Sequence, residues 1–263
     1  MSLLSYLRAH LPSCPSVKAI KRAIDHKLCK INGSVERFST HPLKKGDLIE
    51  LQLLGDLPKT VPTLLYEDEE LLVYNKSAYT LSDSPKQLFA VHRLDKETTG
   101  VLLYAKTLAS QEKFSALFAE RKVHKKYLAL VDGQVQKRSF SCHNFLGKKQ
   151  SYEGGALYGP VSRSLGKEAL THFERLEETA LCSLLLCSPI TGRTHQIRSH
   201  LKTAGHPVLG DWQYAHSFRC PYPARRYLLH AHKLEIADRL FVAPVPQDFM
   251  TAYAELFQKA FSY

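Results

Sequence analysis

The sequence predicts an α+β protein: a mixed, mostly antiparallel central sheet flanked by helices, preceded by a small N-terminal αβ domain. Short β-like segments joined by turns outnumber strand–helix–strand units, which favours antiparallel pairing. Hydrophobic residues make up 44% of the 263-residue chain, enough for a buried core, and charged residues make up 23%. Helical periodicity is confined to a few segments, so the helices are expected to flank the strands.

The charge balance is strongly cationic. The chain carries 36 Lys and Arg against 25 Asp and Glu, a formal charge of +11. A field of this sign favours a polyanionic partner, either a nucleic acid or an acidic membrane surface. A solvated basic surface without a partner is the alternative, and charge alone does not choose between them.

The cysteines and the apolar segments indicate the cellular compartment. The six cysteines include no C-x-x-C pair and are too sparse for a disulfide scaffold, so we expect free thiols in a reducing cytosol. The first residues lack a basic opening followed by a long apolar stretch, so no secretory signal is expected. Apolar runs are far shorter than a bilayer span. We therefore expect a soluble, cytoplasmic protein with no membrane partner.

Residues 1–55 are predicted to form a module of their own. An Asn-Gly pair between two short β-like segments predicts a tight hairpin. Ser16 is a suitable N-cap for a second helix, whose apolar residues recur at helical spacing. The expected elements are helices over about Ser2–His10 and Ser16–Leu28, a hairpin at Asn32-Gly33 and a strand within 44–54.

The second helix of this module carries a cationic face formed by Lys18, Lys21 and Arg22. Residues 1–55 contain nine Lys or Arg and four Asp or Glu, a net charge of +5. The order helix, basic helix, Asn-Gly hairpin and strand resembles the small RNA-binding domain of the ribosomal-protein-S-four type. The resemblance implies a module that grips structured RNA through phosphates and shape. An ordinary solvated helix face is the alternative.

Residues 56–62 have the composition of a linker, and residues 63–263 are predicted to form the larger domain. A pair of strands around an acidic turn opens this domain, and strands and helices then follow in an irregular order. Strands are expected at 64–76, 101–107, 126–135, 170–177, 180–192 and 228–236, and helices at Ser110–Arg121, after a cap at Thr194, and at Gln247–Phe261.

The densest group of polar residues is VHRLDKETTGVLLYAKT, residues 91–107. Arg93 and Asp95 are two residues apart in a segment that leads into a glycine turn and an apolar strand. This order predicts a carboxylate at the mouth of the sheet with a guanidinium beside it. A surface turn with a local ion pair is the alternative for an isolated R-x-D pattern.

Longer context favours a functional reading of this segment. HRLDKETTG, residues 92–100, resembles the active-site motif HRLDxxTSG of the RluA family of pseudouridine synthases. LLYEDEELLVYNK, KKYLALVDG, GRTHQIRSHLKTAGHPVLGDWQY and LLHAHKLEI resemble further blocks of that family, in the same order, over residues 64–236. The resemblance implies a pseudouridine synthase catalytic domain that isomerises uridine in RNA without redox or metal chemistry.

The resemblance also implies roles for single residues. Asp95 matches the carboxylate that acts at the ribose, as nucleophile or as base, and the sequence leaves both open. Arg198 matches the cation that keeps this carboxylate ionised and aimed. Tyr127 matches a tyrosine that lies against the target base and helps remove the carbon 5 proton, and Arg93 a residue that fills the space left by the flipped uridine. The alternatives are a phosphate contact for Arg198 and a core position for Tyr127.

Further cations and histidines of the chain have an ordinary surface or core position as the alternative to a functional one. Lys125 and Lys126, in the basic run 121–127, are expected to contact RNA phosphates, as is the pair Arg225-Arg226; a solvated face is the alternative for each. The spacing of His195, His200 and His206 fits no common zinc pattern, so no metal is expected. No phosphate-cradling glycine loop is present, so no cofactor is expected.

Within the family that the chain resembles, the added N-terminal module implies folded large-subunit ribosomal RNA as substrate, with transfer RNA as the alternative. Two other classes are a non-catalytic RNA-binding assembly factor and an RNA-cleaving enzyme that uses His195 or His200 as acid and base. NKSAY, residues 75–79, replaces the family's usual NKPAG and changes the backbone options of that loop. The sequence leaves the oligomeric state open, with a monomer expected.

Overall fold

Two stretches of chain, Met1–Thr60 and Val61–Tyr263, form separate units in the computed structural model. The structure describes residues 1–11, 16–25, 28–36, 38–53, 61–80, 87–152, 155–215 and 217–263. Most of the linker predicted at 56–62 lies outside these residues, because only positions 61 and 62 are described.

The N-terminal unit contains the helices and the hairpin that the sequence predicts. The Ser2 side chain caps the first helix by accepting from the Ser5 amide at 3.3 Å, and Ser16 accepts from the Ala19 amide at 3.1 Å. The second helix ends three residues before the predicted Leu28. The elements are α1 Leu3–His10, α2 Val17–Asp25, β1 Cys29–Ile31, β2 Ser34–Val35 and β3 Ile49–Leu51, with the strands in the order β2-β1-β3.

The hairpin between β1 and β2 depends on its two turn residues. Asn32 has φ +52° and Gly33 has φ +79°, the positive values that a two-residue hairpin turn requires. The Asn32 side chain also donates to Asp47 at 3.0 Å and accepts from the Leu48 amide at 2.9 Å. The turn is thereby tied to the segment before β3. Beneath it, Ile20 and Ile24 of α2 are fully buried, as their spacing predicts.

The larger unit is built around one sheet. Its elements are β4 Thr63–Glu67, β5 Leu71–Lys76, β6 Phe89–Ala90, β7 Thr99–Ala105, α3 Leu108–Ala119, β8 His124–Asp132, β9 Ser139–Tyr152, β10 Gly155–Val161, β11 Lys167–Glu178, β12 Cys182–Pro189, α4 Gln196–Thr203, β13 Leu229–Ile236, β14 Arg239–Val242 and α5 Gln247–Phe257. Among the described residues, eleven strands join in the order β10-β9-β11-β12-β8-β13-β7-β5-β4, with β14 on β13 and β6 on β7.

This sheet confirms the predicted fold class. Among the described strands, every pairing is antiparallel except that of β7 with β13. At the parallel contact, Gly100 has φ +113°, and a Cβ there would lie 2.1 Å from the Ala231 carbonyl oxygen. Only glycine fits such a position. The glycine of the HRLDKETTG segment therefore lets the central strands approach each other.

Several features of the larger unit differ from the sequence prediction, among them a hairpin and two helix ends. The hairpin β9–β10 was not expected, because much of β9 is polar and most of its described side chains are half-buried or exposed, so its hydrophobic alternation is weak. The N-cap position of α4 is His195, which has φ +55° and makes no side-chain cap hydrogen bond, and not the predicted Thr194. The last helix, α5, ends at Phe257, four residues before the predicted Phe261.

The described cysteines and helices bear on two further expectations from the sequence. Among the described residues, Cys29, Cys142, Cys182, Cys187 and Cys220 are free thiols. No helix in the described part of the chain is long and apolar enough to cross a bilayer.

Candidate active site

The segment between β6 and β7 carries Arg93 and Asp95, and His92 holds it in place. His92 Nε2 accepts from the Leu103 amide at 3.1 Å, and its ring stacks on Phe118 at 4.9 Å. Burial lowers the pKa of His92 to about 3, so the ring is a neutral acceptor at pH 7. His92 therefore ties the segment before Asp95 to β7.

The segment after Asp95 is held by two buried basic side chains, Lys76 and Arg226. Lys76 is 1% exposed, and its Nζ donates to the carbonyl oxygens of Ser77 and Lys96 at 3.0 Å each. Burial, and then the charge of Arg226, lower the pKa of Lys76 to about 7. Arg226 Nη1 donates to the Glu97 carbonyl oxygen at 3.2 Å. Asp95 thus sits on a backbone fixed on both sides.

The substituted loop at 75–79 contacts the same segment. The Tyr79 amide donates to the Lys96 carbonyl oxygen at 2.8 Å, and its hydroxyl to the Arg225 carbonyl oxygen at 2.9 Å. Tyr79 has φ +63°, in the left-handed region that glycine adopts with least strain. The chain therefore keeps a glycine-favouring backbone at the position where the family pattern has glycine, and adds a hydrogen-bonding side chain.

Arg198 lies in the first turn of α4 and is held by Asp211. Arg198 Nε and Nη2 donate to the two Asp211 carboxylate oxygens at 2.6 and 2.9 Å, and Nη2 also donates to Gln213 at 2.6 Å. The guanidinium carbon lies 4.1 Å from the centre of the Tyr227 ring. Its remaining nitrogen, Nη1, donates to Asp95 Oδ2 at 3.3 Å. Arg198 is therefore aimed at Asp95 by partners on three sides.

Arg198 is buried but remains charged. Its side chain is 4% exposed, whereas that of Asp95 is 20% exposed. Burial alone would lower the pKa of the Arg198 guanidinium, but Asp211 above all, with Tyr227 and Asp95, outweighs it and holds that pKa well above its ordinary value. The pair consists of a locked cation and a carboxylate with one side open.

Asp95 opens into a cavity of about 380 Å³. Tyr127 lies in its wall, on β8. Burial, and then the charge of Asp95, raise the pKa of the Tyr127 hydroxyl above its ordinary range, so Tyr127 stays protonated at pH 7. The wall also contains Arg93, Lys125, Thr191, Arg193, His195 and Arg198. A cavity of this size and lining can hold a small polar ligand or a flipped nucleotide.

The structure separates the two lysines that the sequence grouped. Lys125 and Tyr127 lie two apart on β8 and share the face that lines the cavity, while Lys126 is exposed on the other face. Lys125 Nζ donates to the Thr191 carbonyl oxygen at 3.2 Å. Burial, and then the charge of Arg193, lower the pKa of Lys125 to about 8. Lys125 thus belongs to the cavity, and Lys126 does not.

The structure describes the side chains of two further predicted RNA contacts, Arg93 and Lys21. Arg93 is exposed at the edge of the cavity. Lys21 is half-buried in α2, and the side chains of Lys18 and Arg22 lie outside the described residues.

The prediction of a phosphate contact for Arg226 is wrong. This residue is 2% exposed, and it donates to both carboxylate oxygens of Asp248 at 2.6 and 2.9 Å. Its other nitrogen donates to the carbonyl oxygens of Glu97, Tyr227 and Leu229. A guanidinium engaged in this way supports the backbone beside the site.

The three histidines weighed for metal binding have separate environments. His200 is fully buried, with Nδ1 2.9 Å from Thr171 Oγ1 and Nε2 3.1 Å from Asn144 Oδ1. His206 Nδ1 is bonded to the Asp132 carbonyl oxygen at 3.0 Å. His195 lies in the cavity, with Nε2 3.9 Å from Asp95 Oδ2. His200 is accordingly a core residue, whereas His195 faces the site.

Sequence reasoning missed several residues that build the site. Asp211 and Gln213 lie in the GDWQY stretch of the downstream block, but nothing in their spacing shows that they bind Arg198. Lys76 lies in the NKSAY loop, and Tyr227 directly precedes the late strand. The available signal was their position inside or beside blocks that resemble a family.

The fold and this site define a class of protein. The structure is similar to that of human RNA pseudouridylate synthase domain containing 4, with a TM-score of 0.63 and 25% identity over 74% of this chain and 92% of that one. It is equally similar to human RNA pseudouridylate synthase domain containing 1, with a TM-score of 0.63 and 28% identity over 74% and 87% of the two chains. The protein has the pseudouridine synthase fold, with a carboxylate and an arginine paired at its cavity.

Sequence comparison gives the family. Residues 54–203 match the model of the RNA pseudouridylate synthase family. An uncharacterized RNA pseudouridine synthase of Helicobacter pylori is 33% identical over 89% of this chain and 93% of its own length. The chain belongs to the RNA pseudouridylate synthase family, and it is an isomerase that converts uridine to pseudouridine in RNA.

Proposed function

We propose that this enzyme isomerises uridines in the ribosomal RNA of the large subunit, in the cytoplasm. A relative from Xylella fastidiosa, ribosomal large subunit pseudouridine synthase D, is 30% identical over 86% of this chain and 80% of its own length. The observation that carries the catalytic part is the Asp95–Arg198 pair at the cavity, 3.3 Å apart. The formal charge of +11 supports a large polyanionic substrate.

Asp95 acts at the sugar of the target nucleotide. The reaction breaks the bond between uracil nitrogen 1 and ribose carbon 1′, joins carbon 5 to the same sugar carbon, and moves the carbon 5 hydrogen to nitrogen 1. No atom is gained or lost, and no electron is transferred to another molecule. Asp95 attacks carbon 1′ or removes the proton of carbon 2′, and both fit a half-buried carboxylate that faces the cavity.

Arg198 positions and neutralises Asp95. Since Asp211 binds two of its nitrogens, the guanidinium cannot turn away from the third contact. A fixed positive charge beside the carboxylate also offsets the cost of bringing a second anion, the departing uracil, into the same cavity.

Tyr127 serves the base. Its ring lines the cavity and can stack on uracil. Because its hydroxyl stays protonated, it can take the carbon 5 proton only while passing its own proton on. We therefore assign it a relay role between carbon 5 and nitrogen 1.

Cations around the cavity bind the RNA backbone. Arg93, exposed at the edge, would fill the space left by the flipped uridine and recover part of the unstacking cost. Lys125 and Arg193 supply further positive charge at the wall. Through Lys18, Lys21 and Arg22, the unit Met1–Thr60 would add contacts to folded RNA away from the target, as an RNA-binding domain of the ribosomal-protein-S-four type.

Mapping pseudouridines in all cellular RNA, with and without this protein, tests the proposal. We expect one or a few large-subunit sites to disappear on deletion and to return with the wild-type protein but not with Asp95→Asn. Loss of transfer RNA sites alone would overturn the ribosomal substrate. Pseudouridine sites that are all unchanged on deletion would favour a non-catalytic assembly factor. Shortened RNA would favour a nuclease.

A further inference from the structure

His195 lies beside the reacting carboxylate and has no part in the steps above. Its side chain is 16% exposed, and Nε2 is 3.9 Å from Asp95 Oδ2. Its backbone has φ +55° and ψ +22°, a left-handed conformation that is strained for a residue other than glycine. The ring is packed edge-on against Tyr158 and Tyr214, with centroid distances of 5.6 and 5.8 Å. The surroundings therefore fix where the imidazole points.

The hydrogen bonds of Tyr214 determine which imidazole nitrogen carries the proton. A tyrosine hydroxyl has one proton to donate. Tyr214 Oη lies 2.8 Å from the Tyr158 carbonyl oxygen, which can only accept, so that proton is donated there. Tyr214 Oη also accepts from the Tyr158 amide at 3.3 Å. His195 Nδ1, 3.0 Å from the same oxygen, must then donate its own proton to it.

With the proton on Nδ1, Nε2 presents a lone pair to the cavity. Burial, and then the charge of Arg198, lower the pKa of His195 to about 4, so the ring is neutral near pH 7. Nε2 and Asp95 Oδ2 are then two acceptors 3.9 Å apart, and they cannot bond to each other. A group between or beside them must be a hydrogen-bond donor.

The chemistry of a uridine at Asp95 leaves one such donor. If Asp95 acts at carbon 1′ or carbon 2′, atoms near Nε2 belong to the ribose around these carbons. The ring oxygen O4′ and uracil O2 only accept hydrogen bonds. The uracil N3–H lies on the far edge of the base, away from the sugar. The 2′-hydroxyl is the donor that remains, and it is the group by which a protein distinguishes RNA from DNA.

We infer that His195 Nε2 accepts a hydrogen bond from the 2′-hydroxyl of the target ribose and so makes the site selective for a ribonucleotide at the position that reacts. The inference rests on the proposed action of Asp95 at the sugar. Tyr158 and Tyr214 act through His195, because they hold the ring and its tautomer. They are positioning residues.

The test compares two substrates in each enzyme variant. The probe is a synthetic RNA stem–loop centred on the uridine found by mapping, made with ribose or with a single 2′-deoxyribose at that nucleotide. Wild-type enzyme and His195→Ala are assayed for affinity and for the single-turnover rate on both. The ribose-over-deoxyribose ratio of rate divided by dissociation constant should fall about five- to tenfold in the variant, the effect of one hydrogen bond.

The ribose-over-deoxyribose ratio distinguishes a loss of 2′-hydroxyl recognition from a structural defect of the variant. A structural defect lowers the activity on both probes alike, and the intrinsic reactivity difference between the two sugars cancels when variants are compared. An unchanged ratio in His195→Ala would overturn the inference, while activity on the ribose probe would leave the proposed function intact. Wild-type enzyme that forms no pseudouridine in the ribose probe would instead overturn the proposed function.

A second pair of variants keeps His195 in place. Tyr214→Phe removes the oxygen that accepts from Nδ1, so the proton is free to move to Nε2, and the ratio should fall. Tyr158→Phe keeps both the ring and the backbone groups that bind Tyr214, so its ratio should stay at the wild-type value. If Tyr214→Phe shows the wild-type ratio, the tautomer argument is wrong.

Discussion

Arg198 commits its guanidinium to four oxygen atoms, three of which belong to Asp211 and Gln213 and the fourth to Asp95. A buried cation is costly unless carboxylates pair with it and satisfy its donors. Here the stronger, two-point pair is made with Asp211, which is 1% exposed. Asp95 receives the weaker contact and keeps its open side for the substrate.

The adjacent lysines of β8 give a matched test at the residue scale. Lys125→Ala should lower kcat/KM on the target RNA about tenfold, because a charge-assisted contact inside the cavity is lost. Lys126→Ala should change it less than twofold, since this side chain points away from the cavity. Steady-state kinetics on one RNA measures both. Equal effects would show that the face of the strand does not decide the contact.

The pKa of Lys125 makes RNA binding by the wild-type enzyme depend on pH. Lys125 is charged below its pKa of about 8 and loses its charge as the pH rises through that value. RNA affinity of the wild-type enzyme should therefore weaken between pH 7 and 9, and this change should be absent in Lys125→Ala. A filter-binding titration of the wild-type enzyme and of Lys125→Ala at three pH values measures this difference.

At the scale of elements, the parallel contact between β7 and β13 brings the Asp95 segment to the sheet. Gly100→Ala should destabilise the protein by more than 2 kcal/mol, because the new Cβ would meet the Ala231 backbone at 2.1 Å and φ is +113°. Gly205→Ala is the matched control: φ is +87°, but nothing lies within 4 Å of its Cβ, so about 1 kcal/mol is expected. Urea unfolding measures both, and equal losses would contradict the close approach.

The sequence predicts elements and motif residues better than the contacts between them. Asp95, Arg198 and Tyr127 could be found because they lie in blocks that resemble a family, and the structure brings all three to one cavity. The hydrogen bonds that Arg198 donates to Asp211 could not be predicted, because they depend on how the chain after α4 turns back. The position of Lys126 on the face away from the cavity depends on the strand β8, and the start of α4 after His195 depends on a left-handed backbone.

The polar sequence of β9 explains the largest error of the sequence prediction, which is the missed hairpin β9–β10. The hairpin β9–β10 has few apolar positions in alternation, and β9 pairs with β11 on one side and with β10 on the other. Tertiary context outweighs local propensity in such strands.

At the scale of the whole molecule, buried neutral histidines make stability sensitive to acid. Burial lowers the pKa of His195 and His200 to about 4 and that of His230 to about 3. In the unfolded chain these groups bind protons near pH 6.5, so the unfolded state binds more protons and stability falls as the pH drops from 6.5 towards 4. Each histidine should contribute about 1 kcal/mol per pH unit between pH 6 and 5.

Denaturant unfolding at pH 7, 6 and 5 measures this dependence. His200→Asn should reduce the slope between pH 6 and 5 by about one histidine's share, whatever it does to the stability at pH 7. Constant or rising stability on acidification would contradict the neutral state of these rings.

The N-terminal unit should affect binding to large RNA but not the chemistry. Replacing Lys18, Lys21 and Arg22 together by alanine should weaken binding to folded large-subunit RNA. The slope of log affinity against log salt should fall by about one to three, because phosphate contacts are lost. Affinity for a short stem–loop containing the target is the control and should not change. An unchanged slope on the large RNA would argue against an RNA-binding role for this unit.

The most direct measurement is the amount of pseudouridine formed by Asp95→Asn in a single turnover on the target RNA, with RNA affinity measured beside it. The exchanged amide keeps the shape of the side chain and removes its charge and nucleophilicity. We predict affinity within a few fold of wild type and no detectable pseudouridine. Pseudouridine formation at the wild-type rate would contradict the assignment of Asp95 and the account of the site built on it.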